Sequence, residues 1–508
     1  MQKATPKARQ AHPIVEKIKT GIRGFDHISE GGIPKGRTTL VTGSSGSCKT
    51  ILGIEFLKNG IEQLEEPGVF VTFEEAPRDI NRNIKSFGCG LDTYESEQKF
   101  AFVDVSPDPD EQIEVVGQFD LSALMVRIEH AVAKVRAKRV VIDSVGALFS
   151  RFNDTNLVRR ELFRITSGLK RMNVTTMITS KRTDEYGEAS RFQVEEYVAD
   201  NVIILRHVLD EEKRRRTIEI LKFRGAVHQN GEFPFTISDK GLEVLPLSPI
   251  TLEMPSPQKR ISSGNKDLDD MCGGGFFRDS ILLANGATGT GKTLLSTTFI
   301  NQGCKKKEKG LVFAFEESRS QMGRHAEGWG IDLRPAEEEG LLKIVSTYPE
   351  SSSLPDHLLR IEREVDMFKP ARISIDSLSA LERVSAGKAF REFVTGLTSF
   401  IKDRQIAGLF TTTATDPPGG PSISEHHISD ITDAVILLRY VELTGELRRG
   451  ITVLKMRDAL PEKTFREYTI DNAGLHIGEA FQNVNGILAG APHQYPASER
   501  NIIDTLFE

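Results

Sequence analysis

Two lysines close glycine-rich turns in this chain, and each turn has the residue types that can cradle a polyphosphate. The first reads GSSGSCKT, Gly43 to Thr50, and the second GATGTGKT, Gly286 to Thr293. A tight turn between a strand and a helix aims several backbone N–H groups inward, and the helix dipole adds positive potential at the same point. Gly43, Gly46 and Ser47 would shape the first turn, and Gly286, Thr288, Gly289, Thr290 and Gly291 the second. Lys49 and Lys292 would neutralise the β and γ phosphates, while the hydroxyls of Thr50 and Thr293 would complete the coordination of a magnesium ion. The second loop satisfies GxxxxGK[ST] in full. The first carries Cys48 in the place of its last glycine, and taken alone it is also an ordinary connection. A nucleotide and Mg2+ are the ligands this chemistry implies.

Carboxylates follow in the same order in both halves. Val140-Val-Ile-Asp143 and Ile373-Ser-Ile-Asp376 are apolar runs ending in an acid, the place where parallel sheets bind ligands, so Asp143 and Asp376 would hold magnesium through water or the loop threonine. The pairs Glu74-Glu75 and Glu316-Glu317 end another apolar run. A carboxylate beside the γ phosphate can take a proton from attacking water or hydroxyl; Glu74 and Glu316 are read as these bases, tuned by the like charge of Glu75 and Glu317. Lys222 with Arg224, and Lys455 with Arg457, are cations two residues apart, a spacing that puts both on one face of a strand. Acidic turn caps and surface ion pairs are the plain alternatives for all of these. Their recurrence at matching places weighs against that.

The elements that must position them form a repeat. Gly21, Asp26 and Gly31-Gly32 return as Gly264, Asp269 and Gly274-Gly275 at the spacing that separates Gly43 from Gly286. VFVTFEEAPR is echoed by LVFAFEESRS, RVVIDSVGAL by RISIDSLSAL, and EILKFRG by TVLKMRD. The repeat length of about 240 residues is right for an α/β domain and too long for a solenoid unit. The spacing predicts an N-terminal domain over 1–247, a C-terminal domain over 248–485 and a tail over 486–508. Between the domains, Leu245 to Pro257 holds four prolines in thirteen residues, which suits a stiff extended connector. Within each half the order is strand, phosphate loop, helix, strand with Glu pair, variable region, then helix and buried strand ending in Asp. That order predicts an α/β fold with a mostly parallel sheet flanked by helices.

Composition bounds the function. With 508 residues and 38% hydrophobic content the chain can bury two cores. No apolar run is long enough to span a bilayer, and a formal charge of -6 gives no general attraction to nucleic acid, so neither a membrane nor a nucleic acid is expected as partner. Cys48, Cys89, Cys272 and Cys304 show no metal spacing and no signal segment precedes them, which points to the cytoplasm.

Taken together, the motifs resemble the RecA superfamily of hexameric ATPases, and in detail the KaiC family of clock ATPases and autokinases. The similarity runs through both halves; it is carried by the Glu pairs, Phe102 to Met125, VRRELFRI, EEYVADNVIILR and HHISDITDAVILLRYVE. The resemblance implies two tandem RecA-like P-loop domains in a double-ring homohexamer, with nucleotides between subunits and the Lys-Arg pairs reaching a neighbour's nucleotide. It also implies slow ATP hydrolysis in the first ring and autophosphorylation in the second. In the family's acceptor motif, adjacent Ser and Thr are matched here by Ser429 and Asp430, leaving Ser429 as the expected phosphorylation site with Ser424 and Thr432 as secondary candidates. A KaiB-like partner is expected on the first ring, since Phe102 to Met125 is kept. KaiA is doubtful, because the tail after Gly478 departs from the family's. A DNA-dependent motor or recombinase and a non-enzymatic ATP-binding scaffold are the competing classes. The motor predicts basic loops facing a channel; the scaffold leaves the Glu pairs idle.

Overall fold

The structure, a computed structural model, describes residues 15–494 apart from 88–89, 107–120, 147–154, 183, 187–197, 211–212, 239–240, 246–257, 386, 414–427, 429, 458, 460 and 489–491. Cys89, the proline-rich connector, most of the segment Phe102 to Met125, the tail, Ser424 and Ser429 lie outside those residues in whole or part. The chain divides into two compact units, Met1–Pro246 and Leu247–Glu508.

In the first unit the strands are β1 (Thr38–Gly43), β2 (Gly68–Thr72), β3 (Phe100–Asp104), β4 (Arg139–Asp143), β5 (Thr175–Lys181), β6 (Asn201–Asp210), β7 (Lys213–Phe223), β8 (Glu232–Ser238) and β9 (Gly241–Val244). Their order across the sheet is β9-β8-β7-β6-β1-β5-β4-β2-β3. The six strands from β6 to β3 are parallel, and β7, β8 and β9 extend the sheet antiparallel. Helices α1 (Lys49–Leu64), α2 (Pro77–Ile84), α3 (Leu121–Val135) and α4 (Thr155–Arg171) flank it. Short runs rich in Val and Ile form the parallel strands because both faces are covered. Val141 packs with Leu52, Phe56 and Leu57 of α1, while its neighbours Val140 and Ile142 pack on the other face with Ile128 of α3 and Leu162 of α4.

The second unit repeats the plan. Its strands are β10 (Ile281–Gly286), β11 (Gly310–Ala314), β12 (Leu342–Ser346), β13 (Arg372–Asp376), β14 (Ala407–Thr413), β15 (Ala434–Leu443), β16 (Glu446–Met456), β17 (Arg466–Asp471) and β18 (Gly474–Ala480), in the order β18-β17-β16-β15-β10-β14-β13-β11-β12. The corresponding helices are α5 (Lys292–Lys305), α6 (Arg319–Gly328), α7 (Leu354–Phe368) and α8 (Lys388–Asp403).

Each repeat also buries one guanidinium beneath the phosphate-loop helix. Arg139 and Arg372 are fully enclosed. Arg139 donates to the carbonyls of Phe56 and Lys19, both at 2.8 Å, and to Glu66 at 2.7 Å; Arg372 donates to Ser262, Phe299 and Glu308. Gly60 and Gly303 make room, since a Cβ on either would stand 2.6 Å from the arginine Cδ. Among the described residues no helix is long and apolar enough to cross a membrane.

Candidate active site

The parallel strands deliver their carboxyl ends to one edge of each sheet, and the phosphate loops, the strand-end aspartates and the Glu pairs collect there. β1 ends at Gly43, and the loop that follows enters α1 at Lys49. Each loop closes on its own lysine. Lys49 Nζ donates to the Gly43 and Ser44 carbonyls at 2.9 and 2.8 Å, and Lys292 Nζ to those of Gly286 and Ala287 at 2.7 and 2.9 Å. Ser47 and Thr290 each donate to the carbonyl three residues back at 2.8 Å, which tightens the turn. Cys48 and Gly291 precede the helices in the same left-handed conformation, at φ 72° and 95°. The cysteine therefore accepts the backbone of the glycine it replaces.

Asp143 and Asp376 stand beside the loop threonines. Thr50 Oγ1 donates to Asp143 Oδ2 at 2.6 Å, and Thr179 donates to the other oxygen. Asp376 is held likewise by Thr293 and Thr411. Burial pushes both carboxyls above the ordinary range, with these hydroxyl bonds opposing it. Burial lowers Lys49 and Lys292, while Asp143 with Glu74, and Asp376 with Glu316, pull them back up. A carboxylate buried this deeply beside a hydroxyl and an ammonium fits a divalent cation, which would supply the missing positive charge.

The Glu pairs lie just past the ends of β2 and β11 rather than inside them. Glu74 accepts from Ser144 Oγ at 2.7 Å and Glu316 from Ser377 Oγ at 3.1 Å; Glu316 also accepts from Arg383 at 2.6 Å. Their neighbours turn away toward the following helices, Glu75 to Asn83 at 3.3 Å and Glu317 to His325 at 3.2 Å. Ser144 and Ser377 escaped the sequence reading, although the repeated Ile-Asp-Ser was a visible signal for them. The peptide after each aspartate, Asp143-Ser144 and Asp376-Ser377, is cis.

The Lys-Arg pairs occupy the other edge of the sheet. Lys222 pairs with Val202 of β6, which pairs with Leu40 of β1, three residues before Gly43. That places it about 10 Å back along the strands and two strands away from its own loop. Lys455 stands in the same register to Gly286. Arg224 and Arg457 fall one residue past their strands rather than on a shared strand face, and both approach an aspartate that the sequence reading left unassigned. Asp200 holds Lys170 at 2.7 Å and Arg224 at 3.8 Å; Asp433 holds Lys402 at 2.8 Å and Arg457 at 3.5 Å. Lys222 Nζ donates to the Ala199 carbonyl and Lys455 Nζ to that of Thr432, each at 3.0 Å. Arg457 also donates to the Asp430 carbonyl at 2.6 Å. Thr432 is fully buried, whereas Asp430 is exposed.

Two like sheets, each with a phosphate loop, a strand-end aspartate and a glutamate beyond the neighbouring strand, define tandem RecA-like ATPase domains. The family model of the KaiC ATPase matches the chain twice, over residues 18–248 and 261–482. Circadian clock protein KaiC3 of Synechocystis sp. is 55% identical over 97% of this chain and 98% of its own. The circadian clock oscillator proteins KaiC of Parathermosynechococcus lividus and Synechococcus elongatus are 52% and 51% identical, covering 97% and 98% of this chain and 91% and 96% of their own. This chain belongs to the KaiC family.

Proposed function

We propose that this protein hydrolyses ATP in both domains and phosphorylates Ser429 of its own second domain across a subunit interface, in a circadian or related timing function. One observation supports the trans reading: Lys455 and Arg457 donate to the backbone carbonyls of Thr432 and Asp430, which ties these cations to the chain just after Ser429. They lie at the sheet edge away from their own loop. A neighbouring subunit's nucleotide that attracts them would also draw in Asp430, the residue that follows Ser429 in the chain.

In that site the N–H groups of the second loop and Lys292 would hold the β and γ phosphates. Mg2+, held by Thr293 and through water or directly by Asp376, would neutralise phosphate charge. Ser429 Oγ bonds to the γ phosphorus as its proton passes to Glu316, and the bond to the ADP oxygen breaks. In the first domain Glu74 does the same for water, with Lys49, Thr50 and Asp143 in the matching places. Ser377 and Arg383 fix the Glu316 carboxylate on both its oxygens. Asp430, beside the acceptor, carries one permanent charge where a phosphate would carry about -1.5 to -2, so an ordered cycle over two adjacent sites does not run. Ser429 is preferred to Thr432 because the latter is enclosed.

A homohexamer is the assembly this reading requires. A KaiB-like protein is the partner proposed for the first domain, and KaiA is not required. Mass spectrometry before and after incubation with ATP and magnesium tests the proposal. Phosphate on Ser429, absent from Ser429→Ala, is expected; equal incorporation by both proteins, or none by either, overturns it. Pull-downs with KaiB and KaiA test the partners, and tight KaiA binding lost on truncation at Gly486 would contradict that part.

A further inference from the structure

The two phosphate loops are overhung by different side chains. In the second domain the loop's fourth residue, Gly289, faces Tyr440 of β15, and a Cβ built there would stand 2.7 Å from the tyrosine hydroxyl. In the first domain Gly46 faces His207 of β6, whose Nδ1 would stand 3.4 Å from a Cβ on that glycine. Each overhanging residue lies opposite an arginine in its hairpin, His207 with Arg216 and Tyr440 with Arg449. Only the histidine changes charge near neutral pH.

We propose that His207 is a positioning residue for the polyphosphate of a nucleotide at the first loop, and that binding there places a proton on its ring, a linkage the second loop lacks. The inference rests on the nucleotide reading of the first loop.

The charges around the ring give the direction. Arg216 and Arg214 face it from β7, and Arg214 donates to the His207 carbonyl at 2.9 Å. Glu185, from the segment after β5, accepts the backbone N–H of His207 at 3.2 Å. Burial, then Arg216 and Arg214, hold the imidazole below its ordinary pKa, with Glu185 opposing them. These surroundings favour the neutral ring while the loop is free. An arriving di- or triphosphate reverses the local field, because its negative charges outweigh the arginines from the loop side. The bound-state pKa rises above the free-state one, and between them affinity increases as pH falls, by at most about tenfold per pH unit for one proton.

The test uses full-length protein carrying Lys292→Ala, which leaves the first loop as the intact one, titrated with Mg·ADP by calorimetry at about pH 6, 7 and 8. Each titration is repeated in two buffers of different ionisation enthalpy, so that proton uptake is counted directly. Roughly fivefold tighter binding at the lowest pH than at the highest is expected, with up to about one proton taken up per site. His207→Gln and His207→Asn should flatten both, and titration of ADP itself cancels in that comparison. The same slope and proton count in wild type and variants overturns the assignment. If both variants lose binding, the proton count without a His207 substitution decides, and zero uptake refutes it. No binding by the Lys292→Ala protein at any pH sinks the nucleotide reading of the first loop, and this inference with it.

Discussion

At Cys48 a side chain occupies a backbone well that suits glycine. Left-handed φ costs an L-residue about 1–2 kcal/mol, partly offset because glycine loses more freedom on folding, by about 0.5–1 kcal/mol. Cys48→Gly should therefore stabilise the first domain by roughly 0.5–1 kcal/mol relative to Cys48→Ala, which keeps the strain; thermal denaturation of the two variants reads the difference. Burial raises the pKa of the Cys48 thiol, although Arg216 pulls the other way. At Glu316 the carboxylate is fixed by Ser377 and Arg383. Removing the proposed base with Glu316→Gln should lower phosphoryl transfer by about 10²–10⁴-fold. Ser377→Ala, which leaves the base but frees its rotamer, should cost about tenfold in kcat with KM little changed. Single-turnover transfer of labelled phosphate separates the two, and equal effects would contradict the positioning role of the serine.

Helix α1 is tied to the antiparallel edge of its sheet by a carboxyl that is mostly protonated at mildly acidic pH. Glu55 is 4% exposed, accepts the Leu242 N–H at 3.0 Å, and is raised by burial to about 7. The folded chain keeps this proton where the unfolded chain, near 4.5, has lost it. Stability from this group is thus fully present below the unfolded value, falls as pH rises through the window up to about 7, and is lost above it. The decline amounts to roughly 3 kcal/mol. Glu55→Gln, which still accepts from Leu242, should flatten denaturant midpoints between about pH 5 and pH 8 and raise the value at pH 8. The buried arginine beneath the same helix acts without titrating. Arg139→Ala strands two carbonyls and Glu66 and should cost about 3 kcal/mol, measured by urea unfolding.

In the whole molecule, the Lys-Arg pairs and the loops stand at opposite edges of each sheet, so under the proposed function a complete site would take a loop from one subunit of a hexamer and cations from another. Mixing follows from this. Lys292→Ala subunits lack the second loop's lysine, and Lys455→Ala/Arg457→Ala subunits lack the cations; each parent hexamer should be nearly inactive in Ser429 phosphorylation. Randomly mixed hexamers should regain roughly a quarter of native phosphorylation, because half the loops and half the cation pairs are intact and must coincide. No recovery on mixing would place the cations in cis and refute the interface site.

The phosphate loops, Asp143, Asp376 and the Glu pairs were legible in the sequence because each is local: a turn, a strand end, a residue type repeated at a fixed offset. The mostly parallel core also followed from apolar runs too short for helices. Other features depended on chain segments far apart. Ser144 meets Glu74 because β2 and β4 are neighbours in the sheet, and Asp200 meets Lys170 and Arg224 from three elements. His207 overhangs Gly46 only because β6 lies beside β1. Spacing along a chain fixes which side chains share a turn or a face. Which strands become neighbours, and so which side chains meet across them, is decided by burying both faces of one sheet at once.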